Sequence, residues 1–216
     1  MESTVTKNQN QLESFETLNR LLTEMSGDVA SLASLYTKVL KAVEAGGQDE
    51  LSQCMRRNTF FNKWNQVLQA LGRTEETGLI LIDLDHFKKI NDTYGHPVGD
   101  EVIRRIGELL REFESPRCLA GRLGGEEFAL AVVGSQSEVN GIAELVRRRV
   151  EATSSVKKGE ETVHFTASLG VGMTQLLEEC LSEATASQQT QNTYERADQA
   201  LYAAKKEGRN QVKVAS

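Results

Sequence analysis

Cys118-Leu119-Ala120-Gly121-Arg122-Leu123-Gly124-Gly125-Glu126-Glu127-Phe128-Ala129-Leu130-Ala131-Val132-Val133 holds two apolar runs on either side of a glycine pair. Each run has the length of a strand, so strands are expected at 118–123 and 128–133. A short glycine-bearing turn between them is a strong hairpin signal, because glycine takes positive φ without a steric penalty. A plain hairpin would satisfy the glycines. Glu126 and Glu127, however, add little to packing at a tight turn. Gly124 and Gly125 also leave backbone uncovered where a phosphate or ribose can approach.

About forty residues upstream, Leu79-Ile80-Leu81-Ile82 reads as a central buried strand, an unbroken apolar run. It leads into Asp83-Leu84-Asp85. If the two acidic edges meet, they form a site for Mg²⁺, which takes a few carboxylates plus phosphate and water oxygens. The Leu84 carbonyl is a further hard oxygen there. An Asp after a strand also serves as a helix cap, and Asp85 reads readily that way. Together the clusters suggest a nucleotide triphosphate site and an enzyme.

Around this pair, apolar spacing predicts a helix over 59–71 and a short one over 86–91. Tyr94-Gly95-His96-Pro97 reads as a loop. Further helices are expected over 99–113, 142–152 and 194–206, a single strand over 162–173, and a closing strand at 212–214. Residues 176–191 are polar and irregular in pattern.

Lys205 and Arg209 lie four apart and share a face if the last helix reaches Arg209. Lys88 and Arg122 flank the two acidic clusters. All four read either as surface charge or as partners of a polyphosphate. Asn91 and Asp100 offer a mixed hydrogen-bonding edge. A carboxylate there would accept from N1–H and N2–H₂ of guanine, a donor pair adenine lacks. Asp100 equally suits a helix N-terminus. His96, before Pro97, is a loop-fixing hydrogen-bonder or a substrate contact.

Nearer the N-terminus, Phe15, Leu18, Leu22, Met25, Val29, Leu32, Tyr36, Val39 and Val43 step by threes and fours. This predicts a coiled coil, or else an amphipathic helix lying on its own domain. Leu21, Leu35 and Leu40 widen the stripe enough for a larger bundle. Gly27 costs about 1 kcal/mol relative to Ala inside such a helix. Gly46-Gly47 ends it, dividing the chain into a stalk over 1–47 and a globular domain over 48–216.

There are 25 Lys and Arg against 31 Asp and Glu, a formal charge of −6. That balance argues against broad binding to nucleic acid or an anionic membrane. Cys54, Cys118 and Cys180 lack metal-ligand spacing and suggest buried thiols in a reducing compartment. No signal peptide or membrane-spanning run is read, so a cytoplasmic location is expected.

From about Asp49 to Val214 the chain resembles the GGDEF domain family of diguanylate cyclases. The resemblance rests on Ile82-Asp83-Leu84-Asp85-His86-Phe87-Lys88-Lys89-Ile90-Asn91-Asp92, on Tyr94-Gly95-His96 with Gly99-Asp100, and on Arg122 with Gly124-Gly125-Glu126-Glu127-Phe128. It continues in Ala197-Asp198-Gln199-Ala200-Leu201-Tyr202-Ala203-Ala204-Lys205 and Gly208-Arg209-Asn210. It implies an α+β fold: a central, mainly antiparallel sheet wrapped by helices, like a nucleotidyl cyclase or polymerase palm. It implies condensation of two GTP into cyclic di-GMP with release of two pyrophosphates, by a homodimer joined through the stalk. Mg²⁺, or Mn²⁺, would be held by Asp83, Glu126, Glu127 and the Leu84 carbonyl, with Glu126 and Glu127 also catalytic. Substrate binding would fall to Lys88, Asn91, His96, Asp100, Arg122, Gly124, Gly125, Lys205 and Arg209.

Three positions depart from the family pattern. The opening Asp-x-Leu-Thr-Gly-Leu is Asp49-Glu50-Leu51-Ser52-Gln53-Cys54 here. Glu126 stands where aspartate is the commoner residue. The Arg-x-x-Asp of the family's inhibitory product site is replaced by Ser115 and Cys118, which predicts no strong product inhibition through it. Rival readings are a receptor that binds GTP or cyclic di-GMP without turnover, a cyclase of relaxed base choice, and a structural dimeriser. The intact hairpin and retained Asp100 disfavour the first two. No sensor domain is recognised, so the chain reads as a stand-alone cyclase or as part of a longer signalling protein.

Overall fold

The computed structural model describes residues 47–71, 75–153, 155–159, 161–174 and 182–215. The stalk expected over 1–47 lies outside them except for Gly47, as does Cys180.

A six-stranded sheet organises the described chain. Its strands are β1 (Met55–Arg56), β2 (Thr77–Leu84), β3 (Cys118–Gly124), β4 (Glu127–Val133), β7 (Ala167–Met173) and β8 (Val212–Val214), in the spatial order β1-β3-β4-β2-β7-β8. The three inner pairings are antiparallel, while β1 on β3 and β8 on β7 are parallel. The helices are α1 (Arg57–Ala70), α2 (Phe87–Tyr94), α3 (His96–Arg111), α4 (Gln136–Thr153) and α5 (Glu183–Lys206). The expected α+β fold, a mainly antiparallel sheet wrapped by helices, is the one observed.

β2 is buried along its whole length, as its unbroken apolar run requires. Its alternation feeds two cores. Ile80, Ile82 and Leu84 face the side covered by Val102, Ile103, Ile106 and Leu110 of α3 and Val139, Val146 and Val150 of α4. Leu79 and Leu81 face Phe60, Trp64 and Leu68 of α1 and Ala197 and Leu201 of α5. α5 comes very close to β7: a Cβ on Gly170 would lie 2.1 Å from the Ala197 carbonyl oxygen and 2.2 Å from the Leu201 nitrogen.

Several sequence expectations need correction. The stretch 162–173 is not one strand. Glu161–His164 (β6) pairs with Ser155–Lys158 (β5) in a separate hairpin, and the chain breaks at Phe165-Thr166 before β7. The two halves part because their pairing partner changes, β6 lying on β5 and β7 on β2; Asp85 carries the β2–β7 register one step further, its backbone N–H donating to the Thr166 carbonyl at 2.8 Å and its Oδ2 accepting from Thr166 Oγ1 at 2.7 Å. α5 begins at Glu183, so the polar stretch expected to be irregular is helical from there; Ser182 caps it by accepting from the Thr185 N–H at 3.2 Å. The loop expected over 94–97 shrinks to Gly95, at φ +88°, and His96 opens α3 with Pro97 in the first turn.

Candidate active site

The hairpin turn is one residue later than the glycine pair suggests. Gly124 pairs with Glu127, so Gly125 and Glu126 form the corner, after a register shift between Arg122 and Gly124. Gly125 has φ +47°, and a Cβ on either glycine would meet no atom within 4 Å. These glycines are therefore not required by internal crowding. Gly125 answers the turn's left-handed backbone, and both leave the corner bare.

The β2–β4 register places Asp83 directly opposite Glu127. The Leu84 N–H donates to the Glu126 carbonyl at 3.3 Å, so Asp83 and Glu127 form a non-hydrogen-bonded pair. In such pairs the Cβ atoms stand about 4.5–5.5 Å apart, and like charges directly opposite are destabilising. Asp83 is 7% exposed. Burial raises its carboxyl above the usual range, a contact with Lys205 lowers it, and the charges of Glu126 and Glu127 raise it. Lys205, in the last turn of α5, meets Asp83 Oδ2 at 2.7 Å. It reaches this spot because Asp83, Leu81 and Leu79 share the sheet face on which α5 lies.

The Asp83–Glu127 pair is thus a place where a divalent cation would relieve repulsion. Among the described residues no three His, Cys, Asp or Glu side chains are gathered as a metal cage. The residues therefore fit Mg²⁺ only as a partial shell, completed by the Leu84 carbonyl, phosphate and water oxygens.

On the other side of the corner, α2 and α3 meet at Gly95. A Cβ on Gly99 would lie 1.9 Å from Asn91 Oδ1, so the Asn91 side chain rests on the bare Gly99 backbone, next to Asp100. Lys88, His96 and Asp100 are exposed. Arg209 does not share a helix face with Lys205, because α5 ends at Lys206 and Arg209 follows with φ +63°. A cavity of about 400 Å³ lined by His86, Lys89, Ile90, Tyr94 and Phe165 involves none of these residues. The acidic site is an open corner instead.

Arg122 is committed to the protein. Its Nε and Nη2 donate to the Gly125 carbonyl at 3.0 and 2.8 Å, and its Nη1 meets Asp49 Oδ1 at 2.7 Å. The same Asp49 oxygen accepts from the Ser52 N–H at 2.9 Å and its hydroxyl at 2.8 Å. Arg122 thereby ties the hairpin corner to the segment entering the domain. Asp85, 5% exposed, accepts from Thr166 Oγ1 and Ser168 Oγ at 2.7 Å each and from the Asn210 N–H at 3.0 Å. It is an anchor joining β2, β7 and the loop after α5, and not the cap of α2. Sequence reading missed Asp49, Thr166 and Ser168 because their partners lie between 73 and 83 residues away.

The central strand thus ends in paired acids facing a bare glycine corner. The family model for "Diguanylate cyclase, GGDEF domain" matches residues 47–211, and the chain belongs to that family. It is 34% identical over 168 residues to "Probable diguanylate cyclase DgcT" of Escherichia coli (strain K12), covering 77% of this chain and 35% of that protein. It is 32% identical over 190 residues to "Diguanylate cyclase A" of Treponema denticola, covering 86% and 48%. This chain therefore spans about half or less of either relative. Among solved structures, the coiled coil and GGDEF domain of DgcB from Caulobacter crescentus, in complex with c-di-GMP, superposes with a TM-score of 0.73 at 27% identity. That match covers 90% of this chain and 99% of that one.

Proposed function

We propose that this chain joins two GTP molecules into cyclic di-GMP, releasing two pyrophosphates, as a homodimer that uses Mg²⁺ (or Mn²⁺). The observation carrying this reading is the Asp83–Glu127 pair, held opposite one another beside the uncovered Gly124-Gly125 backbone. Asn91 and Asp100 read the guanine edge. Lys88, Arg209 and His96 contact the substrate, the two cations holding its phosphates. Lys205 balances Asp83 until nucleotide arrives and then turns to phosphate. Arg122 fixes the Gly125 corner against which the triphosphate lies.

The 3′-OH of one GTP attacks the α-phosphate of the other. Bound Mg²⁺ supplies Lewis-acid stabilisation of the phosphoryl charge. Asp83, Glu126, Glu127 and the Leu84 carbonyl would hold it, and Glu126 or Glu127 would accept the hydroxyl proton. Each domain holds one GTP, so two corners must meet face to face. A stalk over 1–47 raises the effective concentration of the second copy of the 48–216 domain.

The test is incubation with GTP and Mg²⁺ followed by chromatography, with wild type beside Glu126→Ala and Glu127→Ala. Cyclic di-GMP is expected from wild type alone. An intact dimer that binds GTP but yields no cyclic dinucleotide would establish the receptor reading instead.

A further inference from the structure

Arg209 and Asn210 follow one another with φ of +63° and +45°. Two successive left-handed residues that are not glycine persist only where their surroundings hold them there. The Arg209 N–H donates to the Ala204 carbonyl at 3.0 Å, and the Asn210 N–H to Asp85 Oδ2 at 3.0 Å. The Asn210 side chain is held from α4. Its Oδ1 accepts from Arg147 Nη1 at 3.0 Å, and its Nδ2 donates to Glu151 Oε1 at 2.7 Å. Arg147 Nη1 also meets Glu151 Oε2 at 2.9 Å, which closes a ring of three residues.

The remaining edge of Arg147 is locked. Nε and Nη2 donate to the two Glu144 oxygens at 3.0 and 2.9 Å, a bidentate fork. This contact holds the Glu144 carboxyl down at about 2. Arg147 is 14% exposed, whereas the neighbouring Arg148 is 70% exposed and meets Glu144. Arg147 lies outside every motif of the site, and nothing in the proposed chemistry uses it directly.

We propose that Arg147 is a positioning residue for the phosphate-holding Arg209, acting through Asn210; this rests on the role given to Arg209 above. The guanidinium pins both functional ends of the Asn210 amide, one directly and one through Glu151. That pinning keeps the 207–211 loop in its left-handed form. Arg209 is then presented without having to be ordered when nucleotide binds.

The experiment compares Arg147→Ala, Arg147→Lys and Arg148→Ala, with and without Arg209→Ala. Binding of the α,β-methylene analogue of GTP is measured by calorimetry in Mg²⁺, and backbone hydrogen exchange over 204–212 by mass spectrometry. Arg147→Lys keeps the charge and most of the packing but not the fork, so it decides the matter even if the alanine variant folds poorly. Losing a charge-assisted contact should weaken analogue binding about tenfold and speed exchange over 207–211. Arg148→Ala should change either readout less than about twofold, and Arg147→Lys should add less than about twofold to Arg209→Ala, since the two effects share one route.

Unchanged exchange, unchanged affinity, or a full loss on top of Arg209→Ala would each overturn the proposal. A wild type that binds no analogue would sink the nucleotide reading itself, while the exchange comparison still reports whether Arg147 holds the loop.

Discussion

Replacing Gly170 by alanine adds one methyl group where α5 crosses β7. That methyl would lie 2.1 Å from the Ala197 carbonyl oxygen, 2.2 Å from the Leu201 nitrogen and 2.7 Å from the Leu201 Cα. All three are backbone atoms of α5, so no side-chain rotation relieves the clash and the helix must move. The cost belongs at the upper end of the overpacking range, about 3 kcal/mol. For a domain of this size that is a fall in Tm of about 6–12 °C. The displacement reaches the site, because Lys205 stands on α5 and meets Asp83 at 2.7 Å. Cyclic dinucleotide formation should therefore fall even at temperatures where the variant is fully folded. Gly141→Ala is the control: it lies within α4 with no atom inside 4 Å of its Cβ, and should gain up to about 1 kcal/mol in helix propensity. Scanning fluorimetry on the pair is sufficient. A Gly170→Ala protein melting within about 2 °C of wild type would refute the close approach of α5, taking 2–4 °C per kcal/mol.

Burial raises the Asp83 carboxyl, and the Glu126 and Glu127 charges raise it further. The stability this group contributes is thus complete below its unfolded value and lost as pH rises through the folded one. Asp83→Asn should therefore raise the Tm of metal-free protein at pH 7, with the gain vanishing toward about pH 3.9, while abolishing turnover; a lower Tm at pH 7 would refute this. Cys54 and Cys118 are buried, with thiols pushed up to about 12. Native protein should leave both unalkylated by iodoacetamide at pH 8, and peptide mass spectrometry showing rapid labelling would contradict that. Because Ser115 and Cys118 replace the family's inhibitory pair, micromolar cyclic di-GMP should leave turnover free of non-competitive inhibition, and a collapse of the maximal rate would disprove it.

The central sheet was legible wherever one residue type dominated a local pattern. The unbroken run at 79–82 and the glycine corner gave β2, β3 and β4, and α3 followed from Val102, Ile103, Ile106, Leu109 and Leu110. The first half of α5 was not legible. Its buried face is Ala186, Gln189, Thr190 and Thr193, so hydrophobic periodicity is silent there. Thr190 is satisfied by Asn65 Oδ1 at 2.6 Å, a partner no window of sequence contains, and Thr193 donates to the Gln189 carbonyl one turn back at 2.8 Å, with Thr174 Oγ1 at 3.2 Å. The break at Phe165-Thr166 was hidden because the alternation of Val163, Phe165, Ala167 and Leu169 runs through it, while the pairing partner changes there from β5 to β2. Within the site, the pairing of the acidic ends followed from strand logic. The commitment of Arg122 to Asp49, and of Arg147 to Asn210, did not, since an arginine on a strand end or helix reads as surface charge.

Both margins of the six-stranded sheet are stubs: β1 has two residues and β8 has three. A rim that short offers a passing strand almost no ladder to extend, a known safeguard against edge-to-edge sticking. Copies of this domain crowded together should thus resist fusing into continuous β-structure.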